Sequence, residues 1–184
     1  MWTKERLLSL LENGERIKYL FFWSHNPRRP GIIDHSCFSQ WYPAQFEVDG
    51  VLYPTAEHYM MAEKARLFDD HATEKEILAS SHPGEAKQLG RKVSDFDQAQ
   101  WDSQRTEIVI RGNIAKFQQD DDLKTYLLNT AQRILVEASP RDQVWGIGLS
   151  ADDPAAEQPG LWQGLNLLGF ALMKVRDQLR EEQG

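Results

Sequence analysis

One stretch limits what this chain can fold into, residues 53–65, which read Tyr-Pro-Thr-Ala-Glu-His-Tyr-Met-Met-Ala-Glu-Lys-Ala. Pro54 and Thr55 predict a helix entrance, because threonine is a favoured N-cap and proline is tolerated where no amide donor is needed. Helical periodicity then places Glu57 and Lys64, at positions i and i+7, on one face. This face can carry chemistry, although the spacing also fits an amphipathic helix with two solvated charges.

A β-hairpin is predicted directly before this helix. Asp49-Gly50 lies between two short apolar runs, 45–48 and 51–53, and this dipeptide is a strong signal for a tight turn. The second strand leads straight into Thr55, so the hairpin sets the direction in which Glu57 enters the helix.

Composition limits the class of protein. A chain of 184 residues with 41% hydrophobic residues fits a single domain, 1–184, with a sizeable core. The net charge of −7 and the lack of a basic tract argue against general binding to a nucleic-acid backbone. One cysteine, Cys37, excludes an internal disulfide and suits a reducing compartment, so we expect a cytoplasmic protein that does not insert into a membrane.

The remaining pattern predicts an α+β fold, a single mainly helical domain around a small β-sheet. The sheet is expected to combine the aromatic run 17–23, the hairpin and the run 134–138. Helices are predicted at 1–14, 70–79, 83–92, 98–119 and about 161–182. The first of these is a short N-terminal extension to which the sequence assigns no function.

Two segments late in the chain combine tryptophan with glycine, residues 145–148 and 162–169. Glycine allows close backbone approach and tryptophan offers a flat face, so a heterocycle can stack there. Asn166 is placed either to bond a ribose or to hold the Trp145 loop. The alternative is that the glycines serve turns and the tryptophans fill the core.

Metal and cofactor chemistry find little support. The five histidines show no paired spacing, and one cysteine offers no thiolate cluster. We find no phosphate loop, dinucleotide fingerprint or nucleophile elbow. The sequence therefore predicts neither a metal site nor a cofactor. Arg28 and Arg29, in a proline-rich loop, fit either phosphate contacts or plain solvation.

Several uncommon residues recur in a fixed order that resembles the NADAR family, which includes N-glycosidases of riboflavin-pathway intermediates. The matching segments are 21–24, 38–42, 48–65, 86–91, 116–117, 135–140, 145–148 and 162–169. The resemblance covers about residues 20–180 and leaves the helix at 1–14 outside. One departure concerns Gln40, where the family usually has asparagine, and it puts a substrate hydrogen bond at that point in question.

The resemblance implies an enzyme, a hydrolase of N-glycosyl bonds. It implies cleavage between ribose C1 and an aminopyrimidine base in a phosphorylated riboflavin-biosynthesis intermediate. Glu57 is the candidate to stabilise the ribose cation or to activate water. Lys64 either holds the substrate electrostatically or attacks C1 of a ring-opened ribose as an amine, and the sequence leaves both roles open.

The resemblance also implies a set of substrate-binding residues. Trp145 is expected to stack on a base, Gly146 and Gly148 to admit backbone contacts, and Arg91 to meet phosphate. The full predicted binding set is Trp23, Trp41, Arg91, Asp142, Trp145, Gly146, Gly148 and Asn166. We expect the cleft between the Glu57 helix and the Trp145 loop.

Two other functions remain open. The first alternative is an ADP-ribosyl-guanine hydrolase that acts on nucleic acid, and the second is a non-catalytic sensor that binds ADP-ribose or a related nucleotide. The net charge of −7 favours a small-molecule substrate over a polynucleotide. A sensor does not need the Glu57 carboxylate, so the substitution Glu57→Gln separates it from an enzyme.

Overall fold

A computed structural model describes residues 2–182, so the two ends of the predicted domain 1–184 lie outside the described part. Within residues 2–182 the chain forms seven α-helices and four short strands. The predicted α+β, mainly helical class is confirmed.

The chain divides into two compact units. The first unit contains the described residues up to Ser39 and those from Asp122, while the second unit is Gln40–Asp121. The prediction of one domain stays a prediction.

The first unit is built on a parallel strand pair. Strand β1 (Tyr19–Phe22) pairs with β4 (Ile134–Glu137), with Tyr19 opposite Ile134 and Phe22 opposite Glu137. Helix α7 packs against β4. The helices of this unit are α1 (Lys4–Glu12), α6 (Asp121–Leu128, with its first residue at the unit boundary) and α7 (Leu167–Glu181), with short 3-10 helices at His35–Phe38 and Pro159–Leu161.

The second unit contains the predicted hairpin and four helices. Strands β2 (Phe46–Val48) and β3 (Val51–Tyr53) are antiparallel, and both turn residues have positive φ, 52° at Asp49 and 79° at Gly50. This confirms the hairpin, because a two-residue turn of this kind needs a left-handed backbone at both positions. The helices are α2 (Ala56–Leu67), α3 (His71–Ala79), α4 (Pro83–Gly90) and α5 (Gln98–Gln118). Helix α2 packs against the other three.

The prediction of one small sheet is wrong, because the described strands form two separate two-stranded sheets. The physical reason is local. A tight turn brings β3 directly beside β2, so these two strands pair with each other. Strand β1 pairs in parallel with β4, a largely apolar run that is distant in sequence. Sequence pattern identified the strands but not their partners.

The predicted start of the last helix is also wrong. Helix α7 begins at Leu167 and not at residue 161, because Asn166 adopts a left-handed backbone with φ of 54°. The amides of the residues before it bond to another loop instead of continuing a helix. Gln163 and Gly164 both donate to the Ile147 carbonyl, at 2.9 Å each.

A helix is present within the predicted range 1–14, as α1 (Lys4–Glu12), and Met1 lies outside the described residues. Thr3 is its N-cap and accepts from the Arg6 amide, and Asn13 is its C-cap. Leu7 is fully buried, and Lys4 Nζ donates to the Trp162 carbonyl at 2.9 Å. The helix therefore anchors on the segment that leads to α7.

Candidate functional site

Glu57 is a buried carboxylate in the first turn of α2. Thr55 caps this helix, and its side-chain oxygen accepts from the His58 amide at 3.3 Å. The Glu57 amide donates to the Gln40 carbonyl at 2.9 Å, and the residue is only 3% exposed. The alternative of a solvated charge is therefore wrong for Glu57. A helix N-terminus favours its ionised form.

Gln40, the departure from the family pattern, is itself buried at 7% exposure. Its side-chain Oε1 accepts from Asn113 Nδ2 on α5 at 2.8 Å. Because its carbonyl also binds the Glu57 amide, Gln40 ties the start of α2 to α5. The glutamine thus has a bonding role inside the protein.

Lys64 is half-buried on the same helix, and its partners come from other segments. Its Nζ donates to the Gly90 carbonyl at 2.8 Å and lies 4.2 Å from the centre of the Phe96 ring and 5.6 Å from that of Trp101. Burial lowers the pKa of Lys64, and the neighbouring Arg91 charge lowers it further. Sequence reasoning missed Phe96 and Trp101, since only tertiary packing brings Phe96, which precedes α5, and Trp101 of α5 to this lysine.

Two predicted binding residues lie at opposite ends of α4. Trp41 contacts the ring of His82, the N-cap of α4, edge-on at 5.8 Å between ring centres. Arg91 is the exposed C-cap of that helix. An eight-residue helix spans about 12 Å, so the structure groups Arg91 with Lys64 and places Trp41 at the other end.

The other predicted residues belong to the first unit, near the carboxyl ends of its parallel strands. Trp23 follows β1 directly and is 54% exposed. Beyond β4, the Ala138 amide donates to the Phe22 carbonyl and the Ile147 amide to the Glu137 carbonyl, both at 2.9 Å. Ligands often bind at the carboxyl ends of parallel strands. Trp23 and the 142–148 loop both lie at this end of the strand pair, where a ligand can bind.

The Trp145 loop is held in shape by Asp142. The Asp142 Oδ1 accepts from the amides of Val144 at 2.9 Å and Trp145 at 2.8 Å. A side chain on Gly146 would bring its Cβ within 2.9 Å of the Glu137 carbonyl oxygen, and Gly148 has φ of 71°. These glycines are therefore required by the loop itself, as the alternative interpretation of the sequence stated.

Asn166 is fully buried and bonds the protein with both ends of its amide. Its Oδ1 accepts from the Glu137 amide and its Nδ2 donates to the Leu135 carbonyl, both at 2.9 Å. Its own amide donates to the Gly146 carbonyl at 3.1 Å. The side chain of Asn166 thus bonds β4, and its backbone amide bonds the Trp145 loop.

His58 is a buried residue that the sequence did not single out. It is fully buried, and its Nδ1 lies 2.8 Å from Thr55 Oγ1. Burial lowers the pKa of His58, and the Ser80 backbone only partly opposes this shift. The neutral ring is thus part of the cap that fixes the entrance of the Glu57 helix.

We expect the stability of the protein to fall as pH drops below the ordinary histidine pKa of 6.5. Between that value and the lowered pKa of His58, the unfolded chain binds the proton and the folded chain does not. Melting temperature should therefore decrease between pH 7 and pH 5, and His58→Gln should weaken this dependence. The difference between the two slopes measures the contribution of His58.

In residues 2–182, no group of three or more histidine, cysteine, aspartate or glutamate side chains is placed to hold a metal ion. The same residues contain no helix with the length and apolar character needed to cross a membrane.

Comparison with known proteins gives the family. The model of the NADAR domain matches residues 21–180. N-glycosidase R617 of Acanthamoeba polyphaga mimivirus is 42% identical over 169 residues, which cover 89% of this chain and 98% of that protein. N-glycosidase YbiA of Escherichia coli (strain K12) is 36% identical over 149 residues, covering 81% of this chain and 82% of YbiA.

The fold agrees with these sequence relations. The NMR structure of E. coli YbiA superposes with a TM-score of 0.73 at 32% identity, covering 92% of this chain and 89% of the other. The chain belongs to the NADAR domain family. Helix α1 precedes the matched residues 21–180, as the sequence predicted.

Proposed function

We propose that this protein is an N-glycosidase that hydrolyses the bond between ribose C1 and an aminopyrimidine base in phosphorylated riboflavin-biosynthesis intermediates. Membership of the NADAR family and relatives named N-glycosidases support hydrolysis of an N-glycosyl bond. The observation that carries the proposal is Glu57, a buried carboxylate fixed through its backbone at a helix N-terminus.

The chemistry suits a carboxylate of this kind. As the bond from C1 to the base nitrogen breaks, positive charge builds on the ribose ring and the bonding electrons leave with the base. The Glu57 carboxylate stabilises that cation or accepts a proton from the attacking water. The water oxygen then bonds C1, and the proton is passed to the departing base. Burial strengthens the electrostatic effect because little water screens it.

We further propose that a covalent step on ring-opened ribose precedes the attack of water: Lys64 Nζ bonds C1, the bond from C1 to the base nitrogen breaks and the base leaves with a proton. Water activated by Glu57 then hydrolyses the Schiff base between C1 and Nζ, which releases the ribose product and the free lysine. The lowered pKa of Lys64 raises the fraction of neutral amine, which attack on C1 requires.

Lys64→Arg keeps a positive charge but cannot form the Schiff base, so we expect at least about a hundred-fold loss of turnover. When the wild type turns over substrate in the presence of cyanoborohydride, the Schiff base should be reduced to a stable secondary amine. Mass spectrometry detects this adduct and maps it to Lys64. Full activity of Lys64→Arg without an adduct would assign an electrostatic role.

Charge favours a small substrate. The net charge of −7 opposes approach of a polynucleotide, whereas a single ribose phosphate needs only local cations such as Arg91.

The test compares two substrates side by side, an aminopyrimidine ribosylamine phosphate and an ADP-ribosylated guanine oligonucleotide. Release of free base from each is followed by chromatography. We expect turnover of the first only. Turnover of the second only would support the nucleic-acid hydrolase, and binding of ADP-ribose without turnover of either substrate would support a sensor.

A further inference from the structure

Lys116 is a buried cation that the proposed reaction does not yet use. It lies on α5 and is 1% exposed. Its Nζ is 5.1 Å from the ring centre of Phe117 and 5.5 Å from that of Tyr42. An ammonium removed from water is strongly unfavourable unless a countercharge is near, and aromatic faces compensate only in part.

Burial is also unfavourable for the negative charge of Glu57. This carboxylate is 3% exposed and lies on α2, the helix that packs against α5. The other lysine and arginine side chains of α2 and α5 bond to different groups. Lys64 bonds Gly90, Arg66 bonds Tyr53, Glu63 and Glu74, Arg105 bonds Asp102, and Arg111 bonds Asp49.

The segment Gln40–Tyr42 connects the two buried charges. The Gln40 carbonyl accepts from the Glu57 amide, and the Gln40 side chain accepts from Asn113 Nδ2. Asn113 precedes Lys116 by one helical turn and so lies on the same side of α5. Two residues beyond Gln40, the Tyr42 ring lies beside Lys116 Nζ. The segment Gln40–Tyr42 thus contacts Glu57 through its first residue and Lys116 through its last.

We propose that the Lys116 ammonium is the buried countercharge of Glu57 and keeps its carboxylate ionised. Lys116 is then a positioning residue, which acts on the reaction through Glu57. The catalytic consequence rests on the proposed function, whereas the pairing of charges does not. Removing one partner of a buried ion pair lowers the stability of a protein far more than removing both partners.

A double-mutant cycle tests the pairing without any substrate. Glu57→Gln and Lys116→Met each leave one buried charge uncompensated, while the double variant leaves none. We expect Lys116→Met to lower the melting temperature by about 6 °C or more, and the double variant to melt above it. Lys75→Met, at an exposed lysine of α3, is the control for loss of a charge. Additive effects of the two substitutions would overturn the proposal.

A second measurement follows the charge state of Glu57 in the active protein. Without a nearby cation, a buried carboxylate protonates more readily. We therefore expect the acidic limb of the pH-rate profile to move to higher pH in Lys116→Gln and to stay in place in Lys116→Arg. An unmoved limb in a folded Lys116→Gln variant would overturn the proposal. If no substrate is turned over, the proposed function fails while the melting cycle still decides the pairing.

Discussion

Replacing Glu57 with glutamine should lower the turnover number about a thousand-fold and change KM little. The substitution keeps the size of the side chain and its capacity for hydrogen bonds, but it removes the negative charge. Only the transition state carries full positive charge on the ribose ring, so the loss falls on the chemical step. Initial rates of base release, measured with the substrate that the wild type hydrolyses, give both constants.

A matched control lies on the same helix. Glu63→Gln also removes one carboxylate from α2, but Glu63 bonds Arg66 and is not among the predicted site residues. We expect its turnover to remain near that of the wild type. Circular dichroism below the melting temperature of each variant checks folding. If the wild type and Glu57→Gln bound nucleotide equally and neither released base, the protein would be a sensor and not an enzyme.

Gly169→Ala should strongly destabilise the first unit. A Cβ at this position of α7 would lie 2.1 Å from the Leu135 carbonyl oxygen and 2.6 Å from both amide atoms of Asn166. A backbone carbonyl cannot move aside, and Asn166 is bonded to β4. We expect a loss of about 3 kcal/mol, which outweighs the better helix propensity of alanine, about 1 kcal/mol.

Thermal unfolding measures this effect. For a chain of this size the loss corresponds to a fall of roughly 6–12 °C in melting temperature. Gly160→Ala is the control, because the nearest atom to its Cβ would be Leu8 Cδ2 at 3.8 Å, an ordinary contact. Equal melting temperatures for the two variants would show that α7 can shift away from β4 without loss.

Local signals in the sequence predicted much of the fold. The Pro54-Thr55 entrance places α2 correctly, because N-capping depends on the capping residue and the next few amides. Asp49-Gly50 predicts the hairpin for the same reason, since the turn is a property of two residues. Features set within a few residues are therefore predictable here.

Features set by distant contacts were not predictable. Nothing near Tyr19 indicates that its strand partner is Ile134, and nothing in the helical pattern of 161–182 reveals the left-handed Asn166. Likewise, periodicity put Glu57 and Lys64 on one helix face but could not show that one is buried and the other lies beside Phe96. Burial depends on what packs against a helix.

The connection between β1 and β4 sets an order on synthesis and folding. The whole second unit, Gln40–Asp121, lies between these strands in the chain. As the chain leaves the ribosome, β1 cannot pair until β4 has been synthesised. Closing the long loop between these two strands is slow. The second unit consists of consecutive residues and has no such delay. We therefore expect it to become protected from proteolysis first, with the first unit following only after α7 is released.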